Sequence, residues 1–176
     1  ANRLKFAGTD IKTAEVVAAG VKNAKEACAP FEKTFVALDL GPTGKLLAPY
    51  GDLPFEEAVD IYAEIVRAGS DAGADLVLIE TMSDTYEMKA AILAAKENSD
   101  LPVIVTNAYG EDGKLMTGAT PAAMVAMLEG MHADAIGANC SLGPKQLVPI
   151  VDRLLAVSSV PIVVKPNAGL PQSIEG

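Results

Sequence analysis

Cys140 lies in the run Gly137-Ala138-Asn139-Cys140-Ser141-Leu142-Gly143-Pro144, ahead of a helix that the sequence starts near Pro144. The positive end of a helix favours an anion, so this position suits a thiolate serving as nucleophile or metal ligand. Packing as a small hydrophobe explains the same residue, because free cysteine is among the most buried residue types. No His or Cys stands beside Cys140 at metal-binding spacing. Glu80 closes the apolar run Asp75-Leu76-Val77-Leu78-Ile79-Glu80 and precedes Thr81-Met82-Ser83-Asp84. A carboxylate there is either solvated or available as a partner for a substrate ammonium, or as a base. Asp39, ahead of Gly41-Pro42-Thr43-Gly44, carries the same two readings. Asn107, Asn139 and Asn167 suit turns, and equally suit hydrogen bonding to a polar ligand. Lys165 ends a further apolar run: it either snorkels to water or, if desolvated, forms Schiff bases.

Other reactive residue types are read as structural. His132, the single histidine, falls just past a helix end and reads as a solvated cap. With no Ser or Cys motif beside it, a hydrolase triad is disfavoured. Cys28 sits in an Ala-rich helix and reads as packing. Met124, Met127 and Met131 recur at helical spacing, which predicts a buried stripe.

The elements that must position these residues alternate along the chain. Helical stretches are predicted over Asp10 to Ala29, Pro54 to about Ala72, Ser83 or Asp84 to about Asn98, Pro121 to near Gly130, and Pro144 to Val157, with Pro149 a kink or a late start. Between them stand short aliphatic runs at 34–40, 75–80, 102–107, 133–137 and 161–166, the last four starting about 27–31 residues apart. This rhythm predicts βα units on a parallel sheet. A doubly wound sheet and a (β/α)8 barrel both meet it. A polar cluster ends every strand, at Asp39, Glu80, Asn107, Asn139-Cys140 and Lys165-Asn167, and a barrel gathers all such ends at one mouth. No GxGxxG or Walker sequence follows a strand. The fold class is therefore read as α/β, a TIM-type (β/α)8 barrel. Five strands in 176 residues fall short of the eight strands and roughly 250 residues such barrels take, so residues 1–176 read as a single, partial barrel domain.

Composition narrows the partners. Fourteen basic and 23 acidic residues in 176 give a net charge of −9, which disfavours nucleic acid. Half of the residues are hydrophobic, enough for a real core. Two cysteines are too few for a disulfide framework or a complete zinc site. No apolar run reaches membrane-span length and the amino terminus lacks a signal-peptide pattern, so a soluble, cytoplasmic protein is expected.

Four motifs, Asp39-Leu40-Gly41-Pro42-Thr43-Gly44-Lys45, Glu80-Thr81-Met82-Ser83-Asp84, Gly137 to Pro144, and Pro166-Asn167-Ala168-Gly169-Leu170-Pro171, occur in this order. Together they resemble the homocysteine S-methyltransferase family over essentially the whole chain, and within it the homocysteine-binding domains of cobalamin-dependent methionine synthases. The resemblance implies a (β/α)8 barrel of which strands one, two and eight are absent here, the opening Asn2-Arg3-Leu4 following the second. It implies zinc held by three cysteines: Cys140 matches the first, and an adjacent pair has no counterpart in this chain. Glu80 matches the carboxylate that contacts the homocysteine amino group, and Asp39, Asn139 and Asn167 line the site.

The implied reaction is methylation of a zinc-bound homocysteine thiolate by methylcobalamin, forming methionine. Cobalamin-binding and methyltetrahydrofolate-binding domains of the parent protein are the implied partners. A chain with one cysteine ligand is expected to be inactive alone, and open sheet edges are expected to promote self-association. A Schiff-base lyase or aldolase built on Lys165, and a fragment without catalytic function, stand as alternatives.

Overall fold

A computed structural model of the chain describes residues 11–169. The opening Asn2-Arg3-Leu4, the predicted helix start at Asp10, and Leu170-Pro171 lie outside the described residues. In chain order the elements are α1 (Thr13–Cys28), β1 (Ala37–Leu40), α2 (Phe55–Asp71), β2 (Leu76–Met82), α3 (Thr85–Asn98), β3 (Val103–Asn107), α4 (Pro121–Gly130), β4 (Ala135–Asn139), α5 (Pro144–Leu155) and β5 (Ile162–Lys165).

The strands form one sheet in the order β1-β2-β3-β4-β5. β1 pairs parallel with β2, and β4 parallel with β5. A doubly wound sheet reverses its strand order at a switch point, whereas barrel strands follow one another in sequence. The order here has no reversal, so it is that of a barrel wall. The inner strands have no exposed position: β4 is buried at all five and β3 at four of five, while β2 mixes buried with half-buried positions. β1 instead alternates, with Leu38 and Leu40 inward and Ala37 and Asp39 exposed. β1 and β5 stand at the two ends of the strand order, which is why they depart from the continuous burial expected of inner parallel strands. Gly137 permits the β4–β5 pairing: a Cβ there would lie 1.8 Å from the Val163 carbonyl oxygen.

The described residues divide into two compact units, 11–79 with 86–104, and 80–85 with 105–169. In the first unit, α2 buries Ala58, Ile61, Tyr62, Ile65, Val66 and Gly69, one helical stripe. Pro54 precedes α2 as its N-cap, and Gly73 ends it in the left-handed region. In the second unit, Thr120 Oγ1 caps α4 by accepting from the Ala123 N–H at 3.3 Å. His132 closes α4 at φ +60°: its N–H donates to Glu129 O and that of Ala133 to Leu128 O, the paired bonds of a Schellman turn. Met124 is fully buried, while Met127 and Met131, the latter just past the end of α4, are only half-buried. α5 starts at Pro144 and runs through Pro149, so Pro149 is not a late start.

Candidate functional site

In the second unit the ends of β2, β4 and β5 supply the groups that can do chemistry. Their backbone is unusual. Thr81, Cys140 and Ser141 all have left-handed φ values, of +63°, +55° and +57°. For residues bearing a Cβ, and above all for β-branched Thr81, such conformations cost about 1–3 kcal/mol each and persist only where surrounding structure imposes them. At Thr81 and Cys140 that structure includes Asn139. It is 2 % exposed, its Oδ1 accepts from the Thr81 N–H at 2.9 Å, and its Nδ2 donates to Thr81 Oγ1 at 2.8 Å. The same Nδ2 lies 3.3 Å from Cys140 Sγ, and Thr81 Oγ1 lies 3.7 Å from that sulfur. One buried amide therefore ties the turn after Glu80 to the turn that carries the thiol. A donor aimed at sulfur is a contact that a thiolate, free or metal-bound, accepts.

The strand ends are also tied through backbone. The Cys140 N–H donates to Lys165 O at 3.1 Å, the Asn167 N–H to Leu142 O at 3.0 Å, and the Ala108 N–H to Met82 O at 2.9 Å. Asn167 is half-buried, and Asn107 is buried at the end of β3. Glu80 is half-buried and ion-paired, its Oε2 accepting from Lys165 Nζ. The Lys165 side chain is 43 % exposed. Schiff-base lysines are desolvated, and Lys165 is instead water-accessible and ion-paired with a carboxylate. An open cleft of about 670 Å³ runs along Thr81, Ser83, Tyr109, Lys114, Ser141 and Leu142. Burial holds the Tyr109 phenol well above its ordinary value, so it stays protonated.

Asp39 belongs to the first unit, on an exposed position of β1, where it borders a cleft of about 330 Å³ shared with Val17, Val21 and Leu38. The Gly41–Gly44 loop that follows is held by Glu87, a buried carboxylate in the first turn of α3. Its Oε1 accepts from the Thr43 N–H at 2.7 Å, Thr43 Oγ1 at 2.6 Å and Tyr62 Oη at 3.0 Å. Burial first, and then the Glu87 charge, push the Tyr62 phenol far above its ordinary value.

Sequence reasoning assigned roles to Glu80, Cys140, Asn139 and Lys165, which the second unit holds together. It missed Thr81 as a partner of Asn139, although Thr81 stands inside the Glu80 motif, and it missed Glu87. As to metal, no group of three His, Cys, Asp or Glu among the described residues is placed to hold an ion. A tetrahedral thiolate-rich zinc needs several sulfur ligands, and Cys140 is the one thiol at this site. The described donor set therefore does not complete a zinc site.

Comparison with known proteins shows the family and the fold. The homocysteine S-methyltransferase family matches residues 1–176. Methionine synthase from Mycobacterium leprae is 33 % identical over 153 residues, and that from Mycobacterium tuberculosis 31 %. The match covers 84 % of this chain and 13 % of each of those proteins, so the chain spans about one eighth of their length. Among solved structures, the Escherichia coli homocysteine methyltransferase MmuM superposes with a TM-score of 0.79 in its metallated form and 0.76 in its apo form, at 24 % and 23 % identity. Those alignments cover 93 % of this chain and 62–64 % of MmuM, and they establish the fold. With its full length matched, the chain belongs to the homocysteine S-methyltransferase family.

Proposed function

We propose that the protein carrying this chain transfers a methyl group to the sulfur of homocysteine, forming methionine, and that this chain supplies part of the homocysteine site. The observation that carries the reading is the Asn139 clamp, which orders Thr81 and Cys140 together and so fixes the carboxylate and thiol that border them. In this reading Glu80 takes the substrate ammonium, and that contact sets the orientation of the sulfur. Asp39, Asn139 and Asn167 line the site, with Asn139 acting as a positioning residue. The sulfur lone pair forms the new S–CH3 bond as the methyl leaves its donor, and the thiol proton passes to solvent.

Zinc enters only as far as the donor set allows. Cys140 would be one ligand, and such an ion would supply a homocysteine sulfur already stripped of its proton. The other ligands are not among the described residues, and with Cys140 as its one thiol ligand the 176-residue chain is expected to be inactive by itself. For the donor we favour methylcobalamin, carried on a cobalamin-binding domain outside this chain beside a methyltetrahydrofolate-binding one. What supports that choice is the resemblance to cobalamin-dependent methionine synthases in the four ordered motifs. We read residues 1–176 as part of one barrel domain.

The test is methionine formation by the whole protein, with zinc content measured alongside. Cys140→Ser is expected to abolish transfer and lower bound zinc while the circular dichroism spectrum stays unchanged. Glu80→Gln is expected to raise KM for homocysteine at least about tenfold, the effect of losing one charge-assisted contact. Full activity in Cys140→Ser would overturn the reading.

A further inference from the structure

Glu80 and Lys165 lie 85 residues apart in sequence, yet each is the other's charge partner, at the ends of β2 and β5. We propose that this pair reads both charges of an amino-acid head group: Glu80 takes the α-ammonium, and the Lys165 ammonium, displaced from Glu80, takes the α-carboxylate. The inference rests on the assignment of Glu80 to the substrate ammonium and extends it to a residue that the proposed reaction does not use.

Three features of the pair support exchange rather than a fixed strut. First, the two members differ in freedom. Glu80 directly precedes Thr81, whose N–H and hydroxyl are both held by Asn139, whereas Lys165 carries its charge on a flexible four-carbon stem. Second, both side chains meet water, Lys165 at 43 % and Glu80 at 23 % exposure. Ion pairs with that access contribute little to stability, so opening this one costs little. Third, the Lys165 carbonyl accepts the Cys140 N–H at 3.1 Å, which fixes the root of the lysine beside the thiol turn and leaves its four-carbon stem to carry any change of partner.

The charges then balance for one ligand class. A zwitterionic head inserted into the pair replaces one internal contact by two external ones, and every charge keeps a partner. An amine without a carboxylate displaces Lys165 and offers it nothing. A carboxylate without an amine leaves Glu80 with no cation. The site thereby selects α-amino acids over simple amines and simple acids.

The experiment is calorimetric binding to the whole protein of two thiols that share the ammonium, L-homocysteine and its decarboxylated analogue 3-aminopropane-1-thiol. Wild-type protein is expected to prefer homocysteine. Lys165→Met is expected to weaken homocysteine at least tenfold and to leave the analogue unchanged or tighter, and Lys165→Arg to restore the preference. Unchanged homocysteine affinity in Lys165→Met overturns the proposal, as does an equal loss for both ligands, which would mark Lys165 as a structural strut. Glu80→Gln separates the underlying reading: it is expected to weaken both ligands, and if it weakens neither, the assignment of Glu80 to the ammonium fails, whatever Lys165 does.

Discussion

Replacing Glu87 by alanine should be among the most destabilising single changes in the described chain. The carboxylate is 5 % exposed, and one of its oxygens accepts from three donors, at 2.6, 2.7 and 3.0 Å. Thr43 and Tyr62, which supply those donors, are 3 % and 0 % exposed. Hydrogen bonds to a charged acceptor contribute about 1.5–3 kcal/mol each when measured singly, and bonds sharing one oxygen add less than their sum. Truncation also leaves the Thr43 amide buried without its acceptor and turns the Tyr62 and Thr43 hydroxyls to the more distant carbonyls of Gly41 at 3.2 Å and Lys45 at 3.4 Å. A loss of about 4 kcal/mol is the resulting expectation for Glu87→Ala. Glu87→Gln keeps an oxygen in place for all three donors and gives up only the charge, so about half that loss is expected. Tyr62→Phe removes one donor of the three and should cost about 1–2 kcal/mol.

Urea unfolding of the whole protein, followed by a probe of this unit, orders the three variants. The double variant Glu87→Ala/Tyr62→Phe should lose at least about 1 kcal/mol less than the sum of the singles, since both remove the same bond. A Glu87→Ala loss no larger than that of Tyr62→Phe, or strict additivity, would refute the convergence of three donors on one oxygen.

Two further outcomes follow from single residues. Gly137→Ala places a Cβ 1.8 Å from the Val163 carbonyl, a backbone atom that cannot step aside, so the β4–β5 pairing must shift; thermal unfolding should show a large loss, and a melting temperature equal to wild type would contradict the register. Alkali should also act through Tyr62. Its folded pKa is raised, by burial first and the Glu87 charge second, from an ordinary value of 10.0. The sign follows: below pH 10 the phenol is protonated in both states and its contribution is intact. Above pH 10 only the unfolded chain loses the proton, and stability falls by about a tenfold change in folding equilibrium per pH unit. Tyr109, raised by burial, adds a second such contribution. Stability measured from pH 9 to 11.5 should fall less steeply in Tyr62→Phe, and an identical slope would contradict the burial argument.

The fold was legible because its signal is local. Aliphatic runs bounded by Gly and Pro mark strands wherever helices separate them, and the structure places a strand at each of the five expected runs, though β1 begins at Ala37 rather than Thr34, β2 extends past Glu80 to Met82 and β4 extends to Asn139. Positions at strand ends were legible for the same reason, since a polar residue after an apolar run marks the end of a buried strand, although Asn107 and Asn139 at two of those ends are themselves buried. Pairing was not legible. Asn139 meets Thr81 across 58 residues and Glu80 meets Lys165 across 85, and no residue type or spacing announces such a partner. Glu87 escaped notice because an acidic residue in the first turn of a helix already has a sufficient explanation in the helix dipole. Only its burial beside Thr43 and Tyr62 distinguishes it.

The left-handed residues show why the site had to be found in three dimensions. Glycine is the residue type that signals such a conformation in a sequence, and Thr81, Cys140 and Ser141 carry no such signal. A fold under no demand there would place glycine at these turns and avoid the strain. Retaining side chains at all three keeps a hydroxyl at Thr81 for the Asn139 amide and a thiol at Cys140 beside it. Backbone strain at Thr81 and Cys140 and the buried Asn139 amide are therefore two sides of one device: the amide makes the strain tolerable, and the strained residues present the groups that the proposed chemistry uses. The ends of β2 and β4 are thus held by bonds of the buried Asn139 side chain, whereas the Glu80–Lys165 pair beside them is open to water, and that contrast is what the proposed exchange of a charge with the substrate requires.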